Sequence, residues 1–191
     1  IRGDELTELN HRLGGGQDLT AQLADPAAHE VQALAAVQTA GLKTLIVRRY
    51  PGSDIVEAIR DLAAKGWKLV ILEGLYPSQT DVELLNRISD ANPTFELTVG
   101  VATYAGPEIM AQFAQLRGAE EGRVRIVFAA NAYPRFMDRD SLRAAPSRMI
   151  FQFYQDYWAS YIHMDVLNMI PQPIELRVRD MYPPDAEAFT Y

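Results

Sequence analysis

Leu45-Ile46-Val47-Arg48-Arg49-Tyr50-Pro51-Gly52-Ser53-Asp54 is an apolar run that stops at Tyr-Pro and is followed by an acid. The pattern returns as Tyr76-Pro77 with Asp81, Tyr133-Pro134 with Asp138, and Tyr182-Pro183 with Asp185. Tyr104-Ala105-Gly106-Pro107 with Glu108 is a looser copy. Nine Tyr and eleven Pro in 191 residues would give about half of one Tyr-Pro pair by chance, and four occur, so the pattern is an internal repeat. Successive tyrosines lie 26, 28, 29 and 49 residues apart.

Each joint has a physical logic. Proline holds the preceding Tyr extended, so the strand keeps its geometry to its end. Its missing N–H stops further pairing yet is harmless in a helix's first turn. The trailing acid falls near the helix start, where it can accept orphan N–H groups and meet the positive end of the dipole.

Around the joints, apolar runs alternate with amphipathic ones. Strands are expected over 45–47, 67–72, 95–102, 124–129 and 174–179, and helices over 54–64, 80–88 and 108–116, with Gly66 as a stop. This alternation predicts parallel βα units. Within the strands, Phe95, Leu97, Val99 and Val101 oppose Glu96, Thr98, Gly100 and Ala102, while Val124, Ile126 and Phe128 oppose Arg125 and Val127. Ile174, Leu176 and Val178 oppose Glu175, Arg177 and Arg179. Parallel strands covered on both faces would be apolar throughout. The expected fold is therefore α/β: repeated strand–helix units in a mainly parallel sheet with helices chiefly on one face, a two-layer open array. A three-layer doubly wound domain is the alternative. The repeat length is near that of leucine-rich repeats, but their LxxLxLxxN consensus does not recur.

Residues 1–41 are expected to form a helical segment packed on the α/β domain of 42–191. Leu19 and Leu23, spaced i, i+4, suggest a short helix over 17–24. A second helix from Pro26 should stop at Gly41. Gly14-Gly15-Gly16 fits a linker better than a phosphate loop, since no GxGxxG or GxxxxGK[ST] pattern is present. The aromatic stretch 149–170, with Phe151, Tyr154, Trp158, Tyr161 and Ile162 at helical spacing, suggests a largely buried helix.

The chain lacks cysteine, which excludes disulfides, thiolate metal sites and cysteine nucleophiles. A net charge of −7 argues against nucleic acid and anionic membranes as partners. No apolar run is long enough for a membrane span. The start, Ile1-Arg2-Gly3-Asp4, suggests a processed product or a fragment, and the adhesion-like tripeptide within it carries no weight. No signal peptide is visible, and either the cytoplasm or export into a host or reducing compartment suits a cysteine-free chain. His11, His29 and His163 form no metal-binding pattern, so neither metal nor cofactor is expected. No GxSxG elbow occurs.

Strand C-terminal ends are where α/β folds place ligands. Arg48, Arg49, Tyr50, Tyr76, Tyr104 and Tyr133 are thus the candidate ligand-binding residues. Glu73 and Asp180, with Asn131, are the candidate catalytic set, two carboxylates being what acid–base hydrolysis requires. Arg135, Arg139 and Arg143 are spaced for an anion-binding stripe, although Asp138 and Asp140 among them point to self-neutralisation. The expected role is a protein-binding or interaction module, with a protein partner preferred over a small molecule. The alternative is a hydrolase-like α/β enzyme using the acids and arginines at the strand ends.

Overall fold

A computed structural model describes residues 16–128, 133–155 and 159–178. Among them run β1 (Leu19–Leu23), α1 (Ala28–Leu34), β2 (Lys43–Val47), α2 (Val56–Ala64), β3 (Trp67–Gly74), α3 (Gln79–Ser89) and β4 (Leu97–Val101). Then follow α4 (Pro107–Gln112), β5 (Val124–Phe128), α5 (Arg139–Arg143), β6 (Ile150–Gln155), α6 (Tyr161–Asn168) and β7 (Ile174–Val178). All seven strands are parallel, and the strand order is the chain order. Crossovers between parallel neighbours are right-handed as a rule, and with sequential strand order that rule puts successive helices on one side of the sheet. A doubly wound sheet needs a reversal of strand order, and there is none here.

Burial follows that topology. In β3, Trp67, Leu69 and Ile71 are buried while Lys68 and Val70 are half-buried. In β5, Val124, Ile126 and Phe128 are buried and Arg125 and Val127 half-buried. The second face is thus only partly covered. Two ion pairs lie along it: Lys68 Nζ is 2.7 Å from Glu96 Oε2, and Arg125 Nη2 is 3.1 Å from Glu175 Oε1.

The chain divides into two compact units. The first holds the described residues up to Glu73 together with Pro77–Thr98. Its core is mainly aliphatic: Leu45, Ile59, Leu62, Leu69, Ile71, Leu85 and Ile88 are all buried. The register pairs Leu19 with Lys43 and Lys43 with Trp67, a repeat of 24 residues. Helix α3 starts at a capping box: Asp81 Oδ2 accepts the Ser78 N–H at 2.8 Å, and Ser78 Oγ accepts the Asp81 N–H at 3.2 Å. Helix α2 ends as expected at Gly66, whose φ of 80° suits a residue without Cβ.

The second unit holds Gly74–Tyr76 and the described residues from Val99 on. Its core is aromatic. Phe128 stacks on Phe153 with centroids 5.0 Å apart and meets Phe151 edge-on at 5.4 Å. Such pairs contribute about 0.5–1.5 kcal/mol beyond their area burial.

Three expectations are corrected. Residues 19–23 form β1, not a helix. The spacing of Leu19 and Leu23 is even, so it satisfies the two-residue period of a strand as well as a helical turn. Residues 150–155 form β6, and helix α6 begins only at Tyr161. The alternation of buried Phe151, Phe153 and Gln155 with Gln152 and Tyr154 is the strand signal there. Gly41 is not a helix stop, since α1 ends at Leu34. A Cβ at Gly41 would lie 2.3 Å from the Gln17 carbonyl oxygen, so glycine is required for that close approach. Arg2-Gly3-Asp4, His11, Gly14, Gly15, Tyr157, Trp158, Arg179 and the joint of Tyr182, Pro183 and Asp185 lie outside the described residues. The long interval between Tyr133 and Tyr182 contains the whole of β6, α6 and β7, so it spans more than one repeat.

Candidate functional site

The joints sit where the sequence places them, just beyond β2, β3, β4 and β5, and the described Tyr-Pro bonds are trans. In the first unit, the Tyr50 N–H donates to Glu73 Oε2 at 2.9 Å. A half-buried carboxylate at the end of β3 thereby holds the joint after β2. Arg49 lies 3.8 Å from Asp25 with both side chains largely exposed, a pair of small energetic weight. The exposed Arg48 donates its N–H to the Ala24 carbonyl at 3.3 Å. Asp180 and Asn131 lie outside the described residues.

In the second unit the tyrosines act through their side chains. The Tyr76 hydroxyl donates to the Thr103 carbonyl at 2.8 Å and accepts the Ala105 N–H at 3.1 Å, bracing the joint after β4. Its ring meets Phe113 edge-on at 6.0 Å. Burial pushes its hydroxyl pKa up to about 12; the Ala105 N–H works against this and the Asp138 charge adds to it. Tyr104 packs on Phe128 at 5.1 Å and on Phe153 at 6.4 Å. Tyr133, only 2% exposed, stacks on His163 of α6 at 4.9 Å. Tyr104 and Tyr133 thus each fasten a joint to a later element of the chain.

Those two tyrosines also come together in one site. A cavity of about 230 Å³ at the strand ends of this unit is walled by Thr103, Tyr104, Tyr133, Arg135, Met137 and Asp138, with Ala102 completing the lining. The Arg135 N–H donates to Asp138 Oδ2 at 2.7 Å, which is the acid-at-helix-start role the repeat predicts. Within the Arg stripe, Arg139 is engaged: it pairs with Asp140 at 2.9 Å and lies over the Phe136 ring at 4.5 Å. Phe136 and Met137 are 61% and 74% exposed. Sequence reasoning missed both, although two large apolar residues after a Pro-Arg turn, outside any period, are themselves a signal.

A wider depression of about 640 Å³ lies in the first unit beside the start of β2, lined by Val37, Gln38, Thr39, Lys43 and Lys65 among others. Its ammonium groups serve the fold. Lys43 donates to the Lys65 carbonyl at 2.5 Å and Lys65 to the Ala35 carbonyl at 2.7 Å. These bonds tie both ammonium groups to the main chain, whereas the smaller cavity gathers two of the joint tyrosines and an acid of the repeat. Among the described residues no group of three or more His, Asp or Glu side chains is placed to hold a metal, and no helix is long and apolar enough to cross a membrane.

No known protein family, curated protein or solved structure matches the chain.

Proposed function

We propose that the chain is a protein-binding module whose contact surface is the strand-end rim of the second unit. One observation carries this reading. Phe136 and Met137 stand exposed beside the cavity, and Tyr161 and Ile162, 64% and 71% exposed, open the helix on which Tyr133 stacks. Large apolar side chains exposed side by side at a cavity lip, as Phe136 and Met137 are, support a contact surface. The net charge of −7 favours a protein over a nucleic acid. The enzyme alternative draws no support from Glu73, whose carboxylate is engaged with the Tyr50 main chain.

Selection of a displayed random-peptide library on the immobilised protein tests the proposal. Wild type should enrich apolar sequences. The double variant Phe136→Asp, Met137→Asp should bind them at least tenfold more weakly, with its circular dichroism unchanged. Enrichment of no sequence, or equal binding by the double variant, removes the reading.

A further inference from the structure

We infer that the cavity between Tyr104 and Tyr133 is an anchor pocket for one aromatic side chain of the partner, an indole in preference to a plain phenyl ring. The inference rests on the protein-binding reading and makes it specific.

Size comes first. At about 230 Å³ the cavity is below the roughly 300–1,000 Å³ of pockets that take whole small molecules. It suits a single large side chain, and interfaces commonly gain most of their energy from such anchors seated in preformed pockets. The walls come second. Tyr104 is held by Phe128 and Phe153, and Tyr133 by His163, so both rings are fixed before any partner arrives. A preformed wall spares the side-chain ordering that binding otherwise costs. Tyr133 is buried and serves as a rigid backing, while the half-buried Tyr104 is the ring that an incoming aromatic can meet, a contact that a branched aliphatic side chain cannot exploit as well. Met137 at the lip brings a flexible, polarisable thioether that adapts to a ring edge.

Polarity then chooses among aromatics. Asp138 Oδ2 accepts the Arg135 N–H, but a carboxylate offers about four acceptor sites. The remaining capacity lies in the cavity wall and matches the N–H of an indole. A phenyl ring would leave that carboxylate facing an apolar edge.

Amide NMR of the whole chain with N-acetyl-tryptophanamide as probe tests this. Saturable shifts are expected at Thr103, Met137 and Asp138. The N1-methylated analogue, which lacks the indole N–H, should bind about tenfold more weakly, the scale of one hydrogen bond to a charged acceptor. N-acetyl-leucinamide should give no saturable shift at those residues. Ala102→Phe, at an exposed cavity position, should abolish binding while the remaining spectrum stays folded. Equal affinity for the methylated or leucine probe, shifts centred elsewhere, or wild-type binding by Ala102→Phe each overturns the inference. Tighter binding of free tryptophan than of its amide would assign the cavity to a free amino acid and overturns it as well. Should the peptide library enrich ligands while the tryptophan probe fails, the anchor pocket falls and the binding module stands.

Discussion

The two units solve one structural problem with different materials. In the first, the core is mainly Leu, Ile and Val, and the Tyr50 joint is closed through its main chain by the Glu73 carboxylate. In the second, the core is a Phe cluster, and the joint tyrosines are themselves the fasteners, by hydroxyl at Tyr76 and by ring at Tyr104 and Tyr133. The same dipeptide therefore marks the same place in the chain without doing the same work. Aromatic fastening has a by-product: rings fixed at a strand end leave a shaped, partly apolar hollow between them. The cavity is found where the joints are closed by rings.

The largest test of this contrast is Tyr133→Ala. Removing a buried aromatic should cost about 3–5 kcal/mol in urea unfolding, whereas Tyr50→Ala, at a half-buried position whose N–H survives the change, should cost clearly less. Equal losses would erase the distinction between the units.

Next is the alkaline limb of stability. Burial holds the Tyr76 hydroxyl neutral in the fold, with its pKa raised from 10.0 to about 12. Below pH 10 it is neutral in both folded and unfolded chains, and its contribution is fully present. Between pH 10 and 12 the unfolded chain ionises first, so stability falls by about 2–3 kcal/mol across that window. Unfolding midpoints of Tyr76→Phe against wild type should converge as pH rises through it. Parallel curves would show that the hydroxyl is not held as described.

A smaller effect is expected from Ser78→Ala, which removes the side-chain half of the α3 capping box and should cost about 1 kcal/mol by the same unfolding measurement. The smallest is Glu57→Gln. Glu57 pairs with Arg60 and Arg87, and those guanidinium groups draw its pKa below the ordinary carboxylate value. Its exposure to solvent screens the pairs, so the thermal midpoint should not move measurably.

Much of this was legible in the residues. Alternation in β4 and β5 exposes the half-covered sheet face, and the Tyr-Pro joints locate the strand ends. Strands β1 and β6 were obscured for a definite reason. Apolar residues four apart share a face in either kind of element, and the stripe Phe151, Tyr154, Trp158 masks the shorter period of Phe151 and Phe153. The rim was legible as a row of tyrosines, and two of them, Tyr104 and Tyr133, do line the cavity. Their partners were not. Which ring Tyr133 meets depends on packing against α6, thirty residues along, and no local pattern encodes that contact. Met137 escaped for the opposite reason, since an exposed apolar residue in a short turn belongs to no periodic stripe.

The sequential strand order also bears on how the chain folds. Pairing Leu19 with Lys43, Arg125 with Ile150 and Phe151 with Ile174 closes loops of 23 to 25 residues. The entropy of closure is nearly the same at each of these steps, because it grows only slowly with loop length. Parallel sheets are ordinarily slow to assemble because their pairings are distant in sequence. Here no neighbour is far away, so each successive repeat can extend the sheet at similar entropic cost.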